Sequence, residues 1–419
     1  MSLKIAIKVS RFPVASQTYI IQHVINLIDK GYDVTILCNY KNPINKSSQP
    51  ELIKRYSLLE KTIIVKNYNK IKFKNRVNLI FNKLIQLENI KILLTLNPFK
   101  YGKKGLKFEY ILHSNEIRLY NKFDIIHIHF GSFKSPIDVF KSLGLIESKI
   151  IMTLHGADSF YENDLKKKKR IKEFRNAFNH FDIITVNTKY LEKIVTKIGC
   201  SKHKLIQILM PIDTGLFKPK NDIQITNNIK HFKLLSVSRL IKLKTIDLGI
   251  LAINELIKKK YSITYNIVGS GPEYNSLKNL ISSLGLTKNI DLVGSKNQSE
   301  IVNVMQNSFA FVFPSSFDEF GRRETQGVVS GEAQAAGLPV IAFESGGIPY
   351  TLKDNVTGFL AREKDYLELA SKIEILLNDQ KLRNQMSREA RNYVVQNYSI
   401  NKIIEKWDEI YQKLIDKDY

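Results

Sequence analysis

Only two cysteines, Cys38 and Cys200, stand in this chain of 419 residues, far apart and outside any ligand-like spacing. That scarcity excludes a disulfide framework and a cysteine-based zinc site, and it fits a reducing cytoplasm. Long apolar runs are missing too. No stretch reaches the roughly eighteen residues of a spanning helix, so none is expected. The amino-terminal "MSLKIAIKVSRFP" carries a lysine inside its short apolar stretch and no cleavage-site pattern, so it reads as a first strand rather than a signal peptide. Paired acids are scarce as well. The one Asp-x-Asp, Asp416 and Asp418, lies in the carboxyl-terminal tail, and no loop offers a metal-ligand constellation. No metal is therefore expected to be required.

What is present is an ordinary globular composition, 43% hydrophobic and 25% charged, with length for two or three domains. The net charge is +24, and it is uneven. Residues 1–213 hold 37 basic against 17 acidic side chains, a balance of +20, which leaves +4 for the rest. Such asymmetry points to a polyanionic partner of the first half: anionic lipid, a phosphorylated substrate or nucleic acid. Solubility charge is the bland alternative. A basic nucleic-acid-binding protein is a reading the charge alone suggests, but no recognition motif accompanies it. The basic stretches with interleaved apolar residues are Lys66, Ile71, Lys72, Phe73 and Lys74, with Lys70 and Arg76 beside them. A second run is "KKKKR" at 166–170.

Short apolar runs alternate with helical patterns. "LKIAIKV", "YDVTILC", "FDIIHIHF", "KIIMTLHG", "FDIITVN" and "LIQILM" read as strands in the first half, with an amphipathic helix near 16–30. Residues 41–110 resist assignment. "PIDTGLFKPKNDIQITNN" at 211–228 reads as a linker. A second series follows: "FKLLSVS", "ITYNIVG", "IDLVG", "FAFVFPS" and "LPVIAF", separated by helices near 245–258, 273–284 and 298–307, with a helical carboxyl terminus. Strands alternating with helices predict an α/β fold of two doubly wound, Rossmann-like domains facing a cleft. Ligands in such sheets bind beyond the carboxyl ends of the strands, so the informative loops follow strands.

After "FKLLSVS", Arg239 and Lys244 are two cations able to neutralise a diphosphate. After "ITYNIVG", Gly269 and Gly271 begin a GxG pattern, but Tyr274 breaks the dinucleotide fingerprint and a tight turn is the expected role. After "IDLVG", Gly294 and Ser295 open a turn where backbone groups can meet a base. After "FAFVFPS" comes "ETQGVVSGE". Its glutamates, Glu324 and Glu332, are eight positions apart, about 12 Å along a helix. That suits two carboxylates at the two ends of one extended ligand, or two solvated acids. A helix starting near Thr325 would aim the free N–H groups around Gly327 and Val328 at a phosphate, and Gly327 would let it come close. In the first half, "HIHFGS" and "TLHGADS" each end a strand with histidine and glycine.

These pieces resemble the retaining glycosyltransferases of GT-B fold known as glycosyltransferase family 4 or glycosyl transferases group 1. The specific matches are "SRLIKLKT", "IVGSGPE", "VGSKNQSEI", "VFPSSFDEFGRRETQGVVSGEAQAAGLPVIAFESGGIPYTL" and "NVTGFL", in the family's order over 232–360. "FPVASQTYI", "HFGS" and "LHGADS" look like the subgroup that builds bacterial surface polysaccharide. The resemblance implies an acceptor domain at 1–213, with a carboxyl-terminal helix near 398–419 packing back on it, and a sugar-nucleotide domain at 214–397. It implies that Glu332 holds the ribose, Glu324 lies against the donor sugar, Arg239 and Lys244 bind the diphosphate, and His155 sits near sugar and phosphate. It implies a uridine sugar nucleotide as donor. A lipid-linked saccharide is the implied acceptor, on the inner face of the cell membrane with an anionic lipid surface as partner. Thr245 stands where the family has glycine, Ser330 and Gly331 where it has apolar residues, and Tyr350 where it has an acid. A sugar-nucleotide epimerase of the same fold is the nearest rival, and a catalytically dead binding module another.

Overall fold

The computed structural model describes residues 2–15, 17–65, 73–85, 89–131, 136–156, 164–220 and 231–416, with the backbone alone for 73–76 and 164–170. Most side chains of the predicted basic stretches, including Lys66, Lys70, Lys72, Lys74, Arg76 and the "KKKKR" run, therefore lie outside what is described. The chain forms two compact units. One comprises Met1–Val186, Glu192–Gln207 and Lys406–Tyr419; the other comprises Asn187–Leu191 and Ile208–Glu405.

The first unit is built on β1 (Lys4–Phe12), β2 (Asp33–Lys41), β3 (Thr62–Ile64), β4 (Ile125–His129), β5 (Lys149–Leu154), β6 (Ile183–Val186) and β7 (Leu205–Gln207). Their order is β3-β2-β1-β4-β5-β6-β7, every pairing parallel. β4, β5 and β6 are buried almost throughout, as strands covered on both faces must be, and their sequences are near-continuous apolar runs. β3 had no separate strand signal. The unassigned stretch 41–110 contains it and a series of short helices, among them Phe73–Ile85 and Pro98–Leu106.

The second unit holds β8 (Phe232–Val237), β9 (Ile263–Val268), β10 (Ile290–Gly294), β11 (Ala310–Phe313), β12 (Val340–Phe343) and β13 (Gly358–Ala361). Their order is β10-β9-β8-β11-β12-β13, again all parallel. Two apolar clusters flank this sheet. One gathers Ile250, Ile253, Leu277 and Ile373; the other gathers Phe311, Phe313, Ala333, Val394 and Tyr398. The order reverses between β8 and β11. The crevice beyond the carboxyl ends of those two strands is where such a sheet takes ligands.

One predicted element starts elsewhere. The helix expected near Thr325 is Val328–Ala335. Gly327 has φ +71°, a left-handed conformation that cannot extend a right-handed helix, so it sets the boundary. Glu324 consequently lies in the loop and only Glu332 on the helix; the two do not share one helical face.

Candidate active site

The loop after β8 turns on Thr245, whose φ of 37° is left-handed. This explains why glycine suits the position. Here a threonine holds it by donating its hydroxyl to the Pro314 carbonyl on the loop after β11. The turn carries Lys244 inward. Its Nζ donates to Glu324 Oε1, and both side chains are largely buried, at 10% and 16% exposed. The ammonium also lies 5.2 Å from the centre of the Phe313 ring. The same ring packs on Gly327, where a Cβ would come within 2.6 Å of Phe313 Cε1. The structure thus brings Lys244, Glu324, Phe313 and the start of the Val328 helix together at the β8–β11 reversal.

The loop holding Glu324 is fixed on three sides. Gly347 N–H donates to the Glu324 carbonyl at 2.7 Å. Thr188 Oγ1 donates to the Thr325 carbonyl at 2.6 Å, and Asn187 Nδ2 donates to Thr325 Oγ1 at 3.1 Å. Gln326 Oε1 accepts from the Met210 N–H at 2.8 Å. Gly347 must be glycine, since a Cβ there would stand 1.8 Å from the Thr325 carbonyl oxygen. Sequence reasoning missed this brace; the adjacent glycines of "SGGIP" after β12 were its signal.

Arg239 is placed differently. Its side chain is exposed and pairs with no carboxylate among the described residues. Its neighbour Leu240 is fixed, donating its N–H to the Ser270 carbonyl at 2.9 Å. A Cβ on Gly269 or Gly271 would collide with the Ser238 or Leu240 carbonyl at 1.8 and 2.2 Å. The GxG pattern therefore serves close packing of two loops. Ser295 Oγ donates to Ser270 Oγ at 2.8 Å, and Gly269 N–H donates to the Gly294 carbonyl at 2.8 Å. Arg239, Ser270, Gly294 and Ser295 thus lie on one ledge formed by three strand ends.

Glu332 occupies the second turn of its helix. The residue keeps some exposure, its carboxyl has no hydrogen-bond or ion-pair partner among the described residues, and burial pushes it up to about 7. An unpartnered, desolvated carboxyl invites hydroxyl donors. A separate pocket of about 590 Å³, lined by residues including Lys242, Asp247, Glu273, Phe317 and Lys364, contains none of the predicted site residues.

In the first unit His155 follows β5. Its Nε2 is 3.1 Å from His129 Nδ1, and its ring packs on Tyr19 and Phe130 at 5.0 and 4.6 Å. Burial holds the ring neutral, pulled down to about 3, with His23 contributing. His129 stacks on His127 at 4.2 Å. The Tyr411 hydroxyl bonds His127 Nδ1 at 2.6 Å and His23 Nε2 at 2.8 Å, while His127 Nε2 bonds Thr153 Oγ1 at 2.6 Å. Nitrogens of His23, His127 and His129 lie within 4.8 Å of one another. The Tyr411 hydroxyl and Thr153 already occupy both nitrogens of His127 and one of His23. The group acts as a neutral hydrogen-bonded core. Sequence reasoning singled out the strand-end histidines but not His23, whose signal was its place on the apolar face of "TYIIQHVINLI".

Comparison with known proteins places this geometry in a family. Residues 217–393 match the model of the group 1 glycosyl transferases, and residues 16–216 match that of Glycosyltransferase Family 4. The chain is 28% identical over 376 residues to the amylovoran biosynthesis glycosyltransferase AmsK of Erwinia amylovora, covering 88% of this chain and 89% of that one. It is 30% identical over 244 residues to the capsular polysaccharide biosynthesis glycosyltransferase CapM of Staphylococcus aureus, 56% of this chain and 62% of that one. The crystal structure of Anabaena HepE in complex with UDP superposes with a TM-score of 0.72 at 15% identity, covering 98% of this chain and all of that chain. The chain belongs to glycosyltransferase family 4, the group 1 glycosyl transferases, and has their GT-B fold.

Proposed function

We propose that this protein transfers a sugar from a uridine-diphosphate sugar to a saccharide acceptor during assembly of a bacterial surface polysaccharide, with retention at the anomeric carbon. The observation that carries the reading is the Lys244–Glu324 pair beside the glycine-started helix at the strand-order reversal. Relatives named for amylovoran and capsular polysaccharide biosynthesis support the acceptor class, and UDP and UDP-glucose complexes of HepE support the donor class.

The chemical problem is departure of a nucleoside diphosphate bearing negative charge. Arg239, Lys244 and the N–H groups of Val328 and its neighbours offer fixed positive charge and dipole to it, worth several kcal/mol at the transition state. These groups can carry the charge without a divalent ion, so the reaction proceeds without one. Glu332 accepts the ribose hydroxyls, and Glu324 takes the donor sugar while orienting Lys244. Gly294 and Ser295 face the base. The resemblance gives His155 a part near the transferred sugar; its neutral ring offers a hydrogen bond rather than a charge. The acceptor hydroxyl attacks from the face the phosphate leaves, the anomeric C–O bond to phosphate breaks, and the hydroxyl proton passes to the departing phosphate. The acceptor is lipid-linked, and the basic first half holds the enzyme at the inner membrane face.

Product analysis tests this reading. A glycoside with the donor's anomeric configuration and one UDP released per transfer are expected. Interconversion of sugar nucleotides without acceptor would instead identify an epimerase.

A further inference from the structure

The helix Phe73–Ile85 is amphipathic, yet its apolar face points away from the protein. Val77, Phe81, Leu84 and Ile85, spaced as one helical face, are 49, 65, 36 and 70% exposed, whereas Lys83 of the same helix is buried. The following turn and helix repeat the inversion: Ile90, Leu94 and Phe99 are 78, 60 and 99% exposed. Of the eighteen large hydrophobic side chains exposed among the described residues, eleven lie between Ile63 and Leu106. The Phe73 helix, the Ile90–Leu96 turn and the Pro98–Leu106 helix all pack on the short helix Glu109–Leu112, so the nine of these side chains between Val77 and Leu106 belong to one local layer. A soluble surface scatters such residues; gathered ones mark a contact.

The charges choose the occupant. Lys91, Lys100 and Lys103 are exposed around these residues, Lys104 beside them pairs with Glu173 at 3.9 Å, and 77–85 and 89–106 contain no acid. A second copy docking face to face would set lysine against lysine. A partner that is apolar inside and anionic at its surface fits both features.

We propose that this layer docks on an anionic lipid bilayer, with Phe81, Leu94 and Phe99 entering the acyl boundary and the lysines meeting the headgroups. The proposal rests on the reading of a lipid-linked acceptor, for which it supplies the docking surface. It relocates that surface from charge alone to an apolar face with a basic rim.

The test is flotation of the full chain with vesicles of phosphatidylcholine, with and without phosphatidylglycerol. Binding is expected with the anionic vesicles and is expected to weaken at high salt. Partitioning should fall at least about tenfold in the Phe81→Ser/Leu94→Ser/Phe99→Ser variant, with its melting temperature and its sugar-nucleotide hydrolysis unchanged. Phe99→Trp should be quenched by brominated lipid. Undiminished flotation of the triple variant, no flotation of the wild type at low salt, or no quenching of Phe99→Trp would overturn the proposal. So would a wild-type dimer that the triple variant converts to monomer without loss of vesicle binding. Hydrolysis in solution reads the transferase separately: its absence in a protein that floats would remove the catalytic reading and leave the docking surface.

Discussion

Lys244 donates a hydrogen bond to Glu324, eighty positions further along the chain. Each largely buried charge is balanced by the other, so deleting one leaves a desolvated, unpaired partner. Lys244→Ala and Glu324→Ala should each lower kcat/KM at least about tenfold, roughly 1.4 kcal/mol. The double variant should lose less than the product of the singles, a coupling of about 1 kcal/mol or more. Purely multiplicative losses in folded variants would show that the two groups work independently.

Arg239 provides the contrast. Exposed and unpaired among the described residues, it contributes little to the fold. Arg239→Ala should weaken UDP binding and lower kcat/KM at least about tenfold while leaving the melting temperature within about a degree, since such surface changes cost under about 0.5 kcal/mol. Calorimetric titration with UDP beside thermal melting checks it. Wild-type UDP affinity would remove Arg239 from the diphosphate site.

Glu332 should respond to pH. Its carboxyl is raised to about 7 in the fold against an ordinary 4.5. Its favourable contribution is therefore present below about 4.5 and is lost as pH rises through 7, on the order of 3 kcal/mol. Glu332→Gln should melt higher than the wild type at pH 8 and no higher at pH 4.5. It should also bind UDP more weakly, because an amide cannot accept from two ribose hydroxyls as a carboxylate does. UDP affinity equal to wild type would end the ribose assignment.

The elements that sequence alone made legible were those with one strong period. "FAFVFPS" and "LPVIAF" are continuous apolar runs, and both are buried parallel strands. β13 escaped because "GFLA" is four residues long and opens on a glycine. Arg239, Lys244 and the glutamate pair were legible as residue types after strands. Their arrangement was not, because it depends on a backbone sign: the positive φ of Gly327 puts Glu324 in a loop, and only there can Lys244 reach it. The inverted helix at Phe73–Ile85 was illegible for a related reason. Periodicity reveals an apolar face but not the side of the helix on which the protein lies.

The histidine core makes the first unit sensitive to acid. His23 and His155 titrate near 3 in the fold, and burial also holds His127 and His129 well below their ordinary 6.5. The unfolded chain takes up these protons from about 6.5 downward, so stability is full above 6.5 and falls as pH drops towards 3. Trp407, the single tryptophan, is 5% exposed and 4.6 Å from the His127 ring. Its emission should shift red on acidification, and His127→Gln should flatten that pH dependence while lowering stability at neutral pH. A Trp407 signal unchanged down to pH 4 would contradict the coupling.

The most direct measurement is release of UDP or GDP from a panel of sugar nucleotides, in EDTA and without acceptor. One uridine sugar nucleotide should be hydrolysed well above the rest, in the absence of divalent metal, and Glu324→Ala should abolish that turnover. Hydrolysis of none, activity that appears only when Mg²⁺ or Mn²⁺ is restored, or full turnover by Glu324→Ala would contradict a metal-independent sugar transfer carried by this site.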